Sequence, residues 1–179
     1  GRSLRQHFGV QRFDRAGGNR RIHMHTFANL IHANFRIPST DYVDLFKVTQ
    51  ALTRNHADLL RLFRRMLFNV AAHNRDDHGK NFAFLLDDQT GEWSLAPAYD
   101  LTYSTGPGGE HSTTILGEGR RPTHEHCLKL AERYGLKPRE TGPIIDKVNT
   151  AITQWPRFAD EAACTKHLTA AIANNFVTI

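Results

Sequence analysis

The residues from Ala57 to Ala72 set the strongest constraint on this chain. Asn55 stands at the N-cap position, and Leu59, Leu60, Leu62, Phe63, Met66, Leu67, Phe68, Val70 and Ala71 recur at helical spacing. Toward its C-terminal half this helix is apolar around much of its circumference, which suits only the centre of a helical domain. It runs directly into the polar stretch His73-Asn74-Arg75-Asp76-Asp77-His78-Gly79-Lys80-Asn81. Two apolar runs follow, Phe82–Leu86 and Trp93–Ala96, separated by Asp87-Asp88-Gln89-Thr90-Gly91-Glu92, and they read as a β-hairpin. A dense polar run is therefore held between two elements that must be buried.

The remaining pattern is mostly helical. Phe8 to Phe13 alternate loosely and read as a short strand before the turn signal Ala16-Gly17-Gly18-Asn19. Met24, Phe27, Ala28, Leu30 and Ile31 predict a helix over 24–34, ended by Pro38, and a second helix starts after Ser39-Thr40-Asp41. Residues 102–122 are rich in Gly, Ser and Thr, with one β-prone patch at Ser112–Leu116, and a loop of that length is more often functional or mobile than structural filler. Helical periods return over 123–134, 138–154 and 160–174, with Thr123 and Asp160 as N-caps and Gly135 as a stop. The expected fold class is mainly α with a small β-hairpin insert at about 82–96.

Composition limits the function classes. The chain has 179 residues, 40% of them hydrophobic, enough for one globular domain, and no window approaches the roughly 18 apolar residues of a membrane span. Its two cysteines, Cys127 and Cys164, are too few for a disulfide framework, so a reducing cytoplasm is expected. The formal charge of +5 is unevenly spread: residues 1–65 hold 12 Lys and Arg against 4 Asp and Glu, the rest 11 against 14. Such a basic first third can face phosphate, although a solvated basic face is the commoner explanation. The chain begins with Gly1, which is consistent with a piece of a longer protein.

The chemistry concentrates in the polar run. Asn74-Arg75-Asp76-x-x-x-x-Asn81 has the shape of the protein-kinase catalytic loop, with Asn74 in place of its His, and Asp100 in Tyr99-Asp100-Leu101 follows the hairpin where a second metal carboxylate is needed. Phosphoryl transfer requires these types. Divalent ions must bridge the phosphate charges, and Mg²⁺ accepts hard oxygen ligands such as the Asn81 amide and the Asp100 carboxylate. A separate carboxylate, Asp76, would orient or deprotonate the attacking hydroxyl, and Lys80 would neutralise phosphate charge. Each residue alone is satisfied by a turn or cap role; their order along the chain favours chemistry. A rival site would gather His73, Asp77 and His78 with His23 or His25 around Zn²⁺ or Mn²⁺.

The stretch Phe68–Phe82, with Leu95-Ala96-Pro97-Ala98-Tyr99-Asp100-Leu101 and the upstream Val10-Gln11-Arg12-Phe13-Asp14-Arg15, closely resembles the HipA family of serine/threonine kinases, the toxins of bacterial toxin–antitoxin modules. The likeness covers nearly the whole chain, and the D-x-H-x-K-N element Asp76-x-His78-x-Lys80-Asn81 followed by Y-D-L is specific. The resemblance implies the helical C-lobe of an atypical, lipid-kinase-like protein kinase that uses ATP and Mg²⁺. Asp76 and Lys80 then look catalytic, Asn81 and Asp100 look like metal ligands, and Gln11, Arg12, Phe13, His78 and Lys80 look like nucleotide contacts, with Gln11 to Phe13 as the hinge on adenine.

By the same resemblance residues 1–21 form a hinge-like strand and turn, and 22–179 the helical lobe. The family's N-terminal ATP-binding lobe, with its phosphate-covering loop and strand lysine, has no counterpart in this chain, and Gln11 stands where some relatives are acidic. A chain so composed is expected to be inactive alone. The implied partners are a protein substrate, for which aminoacyl-tRNA synthetases are one kind of target in the family, and a helix-turn-helix antitoxin through which DNA is reached indirectly. The alternative is a non-catalytic binding module for an antitoxin, or for DNA through Arg2, Arg5, Arg20 and Arg21. The loop from Tyr103 to Arg121 would be an activation or substrate segment.

Overall fold

The computed structural model describes residues 9–32 and 40–179. The described chain enters through two-residue strands, β1 (Arg15–Ala16) and β2 (Arg20–Arg21), paired antiparallel across the Gly17-Gly18-Asn19 turn. Gly18 and Asn19 both take the left-handed conformation, with φ of 68° and 65°, as the turn residues suggest. The strands flank that turn instead of lying over 8–13. Residues 9–12 form no regular element, and Phe8 lies outside the described residues.

The helix expected over 24–34 is a strand followed by one helical turn. β3 (His23–Thr26) leads into α1 (Phe27–Leu30), whose N-cap Thr26 accepts from the Asn29 amide. The apolar spacing of Phe27, Ala28 and Leu30 is helical only for that turn. Upstream, pairing of all four β3 residues with a neighbouring strand overrides the local period. Asn34 and Pro38 lie outside the described residues.

β4 (Thr40–Asp41), α2 (Tyr42–Thr53) and α3 (His56–Ala71) follow, with Asp41 and Asn55 capping the two helices through the Val43 and Ala57 amides. α3 is the central helix: Leu62, Phe63, Met66 and Leu67 are fully buried and join α2 residues Leu45 and Phe46 in one core. The hairpin forms as expected, β5 (Ala83–Leu86) with β6 (Trp93–Leu95). It is not an isolated insert, because β3 pairs on the other edge of β5 to give a three-stranded sheet of order β3-β5-β6. The buried Phe82 and Phe84 tie this sheet to the helical core.

β7 (Thr113–Thr114) arises within the expected β-prone patch and pairs in parallel with β4. The C-terminal part is helical: α4 (His124–Arg133), α5 (Pro138–Thr153), α6 (Trp155–Glu161) and α7 (Lys166–Ala173). Thr123 caps α4 and Gly135, at φ 73°, stops the chain after it. Asp160 is not a cap: it lies inside α6, and the last helix starts later, on Thr165, which accepts from the Leu168 amide. Ala163 at φ 50° marks the break. The architecture is thus mainly helical with small sheets. Among the described residues no helix is long and apolar enough to cross a membrane.

Asp41 joins helix start to loop. Besides capping α2, its carboxylate accepts from Thr114 Oγ1 at 2.6 Å and the Gly117 amide at 2.7 Å, so one side chain anchors β4, α2 and the loop after β7. Asp41→Ala is expected to lower stability by about 2–3 kcal/mol, the sum of a lost cap and stranded donors. Asp44→Ala on the exposed face of α2 should change it by no more than about 0.5 kcal/mol. Urea unfolding of the two variants makes the comparison.

Candidate functional site

The polar run leaves the end of α3 through His73, at φ 55°, a conformation that stops the helix and redirects the chain. The next residue is locked at once: the Asn74 amide donates to Asn69 O at 2.8 Å and its side chain to Asn69 Oδ1 at 3.0 Å. Over 76–78 the side chains alternate. Asp76 is 50% exposed, Asp77 fully buried and His78 41% exposed. Gly79–Asn81 closes the run with one 3-10 turn. Gly79 packs so near α1 that a Cβ there would meet Phe27 Cδ1 at 3.2 Å and Ala28 Cβ at 3.3 Å.

Asp77 is the anchor of this loop. Its Oδ2 accepts from the Tyr42 hydroxyl at 3.0 Å and lies 3.2 Å from His111 Nδ1; its Oδ1 accepts from the Thr113 amide at 3.2 Å. Its own carbonyl accepts from Thr113 Oγ1 at 2.5 Å. The network continues inward, because Asn69 Nδ2 donates to the Tyr42 oxygen at 2.9 Å. Burial and the neighbouring Asp77 charge push the Tyr42 phenol well above its usual range, so it stays a proton donor. Sequence reasoning offered Asp77 only as a ligand in the rival metal site. Its partners lie 34 to 36 residues away, and no local spacing carries that signal.

Asp76 points the other way, half exposed, and Asn81 reaches back to it, with Nδ2 donating to Asp76 O at 2.9 Å. That bond fixes the amide orientation, leaving Oδ1 as the atom of Asn81 suited to a cation. His78 Nε2 stands 3.9 Å from Asp76 Oδ1. The segment bearing Asp100 is tied to the same loop, since the Tyr99 hydroxyl donates to Lys80 O at 2.5 Å. Burial raises the Tyr99 phenol to about 12, which keeps this donor protonated. Asp100 is exposed and sits at φ 54°, a left-handed conformation that after Gly is most accessible to Asn and Asp.

Of the hinge-like residues Phe13 is the one placed against this locality. The Phe13 ring packs on the Tyr99 ring, centroids 5.6 Å apart. Asp14, nearly buried, accepts from Arg12 Nε at 2.8 Å and NH2 at 2.6 Å, and from Arg15 NH1 at 2.9 Å. The Arg12 bond holds the Asp14 carboxyl below its usual range. Arg12 is thereby committed to Asp14, while Gln11 stands exposed beside it. Asp76, Lys80, Asn81, Asp100 and Phe13 are thus joined through Tyr99 and the Asn81 amide into one locality.

The rival metal set does not assemble: among the described residues no three His, Cys, Asp or Glu side chains gather as a metal group. Asp77 is consumed in the buried network. The His73 ring stacks on Tyr103 at 5.7 Å, while His23 and His25 stack on one another along β3. Asn81 and Asp100, an amide and a carboxylate oxygen, remain the hard donor pair whose chemistry fits Mg²⁺.

Much of the long loop is fastened to the candidate site. Arg75 donates through NH1 to Gly109 O and through NH2 to Arg120 O at 3.0 Å, and its carbonyl accepts from the Ser112 amide at 3.0 Å. Ser104 bridges Asn74 in parallel. Gly106, at φ 74°, is required there, because a Cβ would lie 2.1 Å from Glu110 O. His111, Ser112, Thr113 and Ile115 are buried. The segment 103–121, expected as an activation or substrate segment, is fastened along much of its length to residues 73–77.

The basic first third is partly committed to contacts within the fold, while Arg20, Arg21, Lys47, Arg54 and Arg64 are exposed. Arg12 and Arg15 hold Asp14, Arg61 holds Asp58, and Arg65 is buried; Arg2, Arg5 and Arg36 lie outside the described residues.

Residues 1–155 match the family described as HipA-like C-terminal domain. The chain belongs to the HipA family. A curated relative from Sinorhizobium fredii, named "Putative kinase Y4mE", is 34% identical over 105 residues, 51% of this chain and 24% of that protein. A HipA chain solved in the toxin–antitoxin complex of HipA, HipB and operator DNA from Shewanella oneidensis superposes with a TM-score of 0.64 at 20% identity, over 94% of this chain and 47% of that one. The HipA-family chain described here thus spans about half of that solved chain and a quarter of the curated relative.

Two outcomes follow from the buried network. Tyr42→Phe strands Asn69 Nδ2 and removes a donor from Asp77, and should cost about 1–3 kcal/mol in chemical denaturation without loss of helical signal. His73 is held below its ordinary value of 6.5, chiefly by burial and then by Arg75 and His111. The unfolded chain therefore binds the proton more tightly, and stability should fall as pH drops below that value. Thermal midpoints from pH 7.5 to 5.5 should decline less in His73→Asn, which tolerates the left-handed backbone.

Proposed function

We propose that the chain is the catalytic lobe of a serine/threonine protein kinase, the toxin of a toxin–antitoxin module. The observation that supports this best is the joining of Asp76, Asn81 and Asp100: a half-exposed carboxylate, an amide whose nitrogen is occupied and whose oxygen is left for a cation, and a carboxylate on a strained backbone. Family membership and the kinase name of the Sinorhizobium relative point in the same direction.

In this reading Asp76 accepts the proton of the substrate hydroxyl. Asn81 Oδ1 and Asp100 hold Mg²⁺, Lys80 and His78 face the phosphates, and Gln11 to Phe13 receive adenine. Bound Mg²⁺–ATP supplies the transferable phosphoryl group and the charge compensation that its departure needs. The work of the chain is positional: the Asp77 network fixes the loop from inside so that Asp76 and Asn81 need not reorganise. The Tyr99–Lys80 bond sets the distance between the Asp100 segment and the loop. A second lobe covering the phosphates would be supplied from outside these 179 residues, so the chain by itself transfers phosphate poorly or not at all.

The protein acted upon carries a serine or threonine; aminoacyl-tRNA synthetases, as in the family, are the first to try. The Shewanella relative is named in complex with HipB and operator DNA, and an antitoxin of that kind, bringing DNA indirectly, is the partner proposed here.

Transfer of phosphate from labelled ATP to protein, measured in the parent protein with both lobes, decides the matter. Asp76→Asn and Asp100→Asn should each reduce the rate by at least about 100-fold, within the usual range for loss of a general base or a metal ligand. Thermal midpoints should stay close to the parent's, because neither side chain serves the core. Unchanged rates in both would remove the assignment.

A further inference from the structure

A cavity of about 440 Å³ lies between the end of α3, the end of the long connection, the start of α4 and the last residues of the chain. Its ionisable lining side chains are His73, Arg75, His111, Arg120, Arg121 and His124, three guanidinium and three imidazole groups, with no Asp or Glu among the described residues that line it. Val70 and Val177 give it an apolar side.

The cations are only partly balanced. Glu110 pairs with Arg120 at 2.9 Å. Arg75 donates to two carbonyl oxygens, Gly109 O and Arg120 O, which fix its direction without neutralising its charge. Arg121 is exposed, and among the described residues its side chain has no carboxylate within ion-pair distance. Glu118 accepts instead from the Arg120 and Arg121 amides, at 2.7 Å and 2.8 Å. The Ile179 oxygen takes Asn149 Nδ2 at 2.6 Å and pairs with none of the cations of the cavity. The surplus of positive charge is felt within, since Arg75 and His111 add to burial in holding His73 below its ordinary value.

His111 separates this cavity from an ordinary basic face. Its side chain is 3% exposed, and its Nδ1 is engaged by Asp77 Oδ2 at 3.2 Å. Nε2 has no hydrogen-bond partner among the described residues, yet it is not sealed: unlike Arg75 Nε and Asn74 Oδ1 it keeps accessible surface, and the cavity is the space that His111 lines. An imidazole with one nitrogen fixed inward and the other open to a cationic cavity suits an anion that can share a proton.

We propose that this cavity binds a phosphate monoester, its oxygens on Arg121, His124 and His111 Nε2 in the field of Arg75, and its carbon part against Val70 and Val177. Sulfate and carboxylates answer the charge but carry no proton at neutral pH, whereas a phosphate monoester titrates near pH 6 and can share one with Nε2. The volume is at the small end of ligand pockets and exceeds what a bare phosphate fills, which favours an ester over the inorganic ion. Because Nδ1 of the same ring meets Asp77, the ligand would be tied through one imidazole to the loop that bears Asp76. The site stands apart from the kinase reading and is tested by binding alone.

Isothermal titration of the 179-residue chain at neutral pH and physiological ionic strength with glycerol 3-phosphate, a short blocked phosphoserine peptide and sulfate reads the proposal. At least one monoester should bind with unit stoichiometry and about tenfold or more tighter than sulfate. The tighter ester tells the source: the glycerol ester marks a free metabolite, the peptide a phosphorylated protein segment. Arg121→Ala should weaken both esters at least about tenfold, the worth of one charged hydrogen bond. His111→Asn, whose amide can still donate to Asp77, should weaken the esters severalfold and leave sulfate unchanged, so that the preference collapses. Arg133→Ala removes an equal charge at the far end of α4 and should change ester binding by no more than about twofold. No ester binding, sulfate as tight as the esters, unaltered binding in Arg121→Ala or an equal loss in Arg133→Ala would each overturn the site. If His111→Asn does not fold, the sulfate comparison and the two arginine variants still decide.

Discussion

A carboxylate with no exposed surface, held by a phenol, an imidazole and a backbone amide from distant parts of the chain, governs the arrangement around it. Burying Asp77 is tolerable only because each of its oxygens is answered. Those answers come from the first residue of α2, from His111 in the long connection and from Thr113 of β7. The loop after α3 is therefore held jointly by α2 and the long connection, and the exposed Asp76 inherits its position from its buried neighbour. In this sense the polar interior is the scaffold of the candidate site, and the apolar core is the scaffold of that interior.

Tyr99 plays a comparable part at the surface. Its hydroxyl touches the loop at Lys80, its ring touches Phe13, and its backbone leads into the left-handed Asp100. Three segments that are remote in sequence thereby share one side chain. A shift of the hinge-like residues would be felt at the Asp100 carboxylate without any further intermediary.

The parts of the fold that could be read from sequence were those decided locally. α2, α3, α4 and α5 have strong periods with polar caps at Asp41, Asn55 and Thr123, and the hairpin has apolar strands with a turn-forming bridge. What escaped was decided by distant pairing. β3 looks helical until β5 is beside it, β1 and β2 exist only as each other's partner, and the start of α7 moved because Ala163 breaks the chain where the period did not. The same division applies to the site. Asp76, Asn81 and Asp100 could be named as candidates from order and spacing, and the segments that bear them are tied together by Tyr99 and by the Asn81 amide. The Asp77 network was illegible, since of the adjacent aspartates only burial tells which faces inward. Arg65 likewise reads as one more cation of a basic helix until its burial is seen.

The stitching of the long connection to the polar loop has a consequence for how such chains can differ in length. Ser104, Ser112 and Thr113 bond in sequence to residues 73–77, and Gly106 admits no side chain beside Glu110. An inserted residue at the fastened positions 104–106 or 111–113 would break these rungs, whereas the turn at Pro107–Gly109 between them, where nothing approaches a Cβ on Gly108, leaves room for extra length.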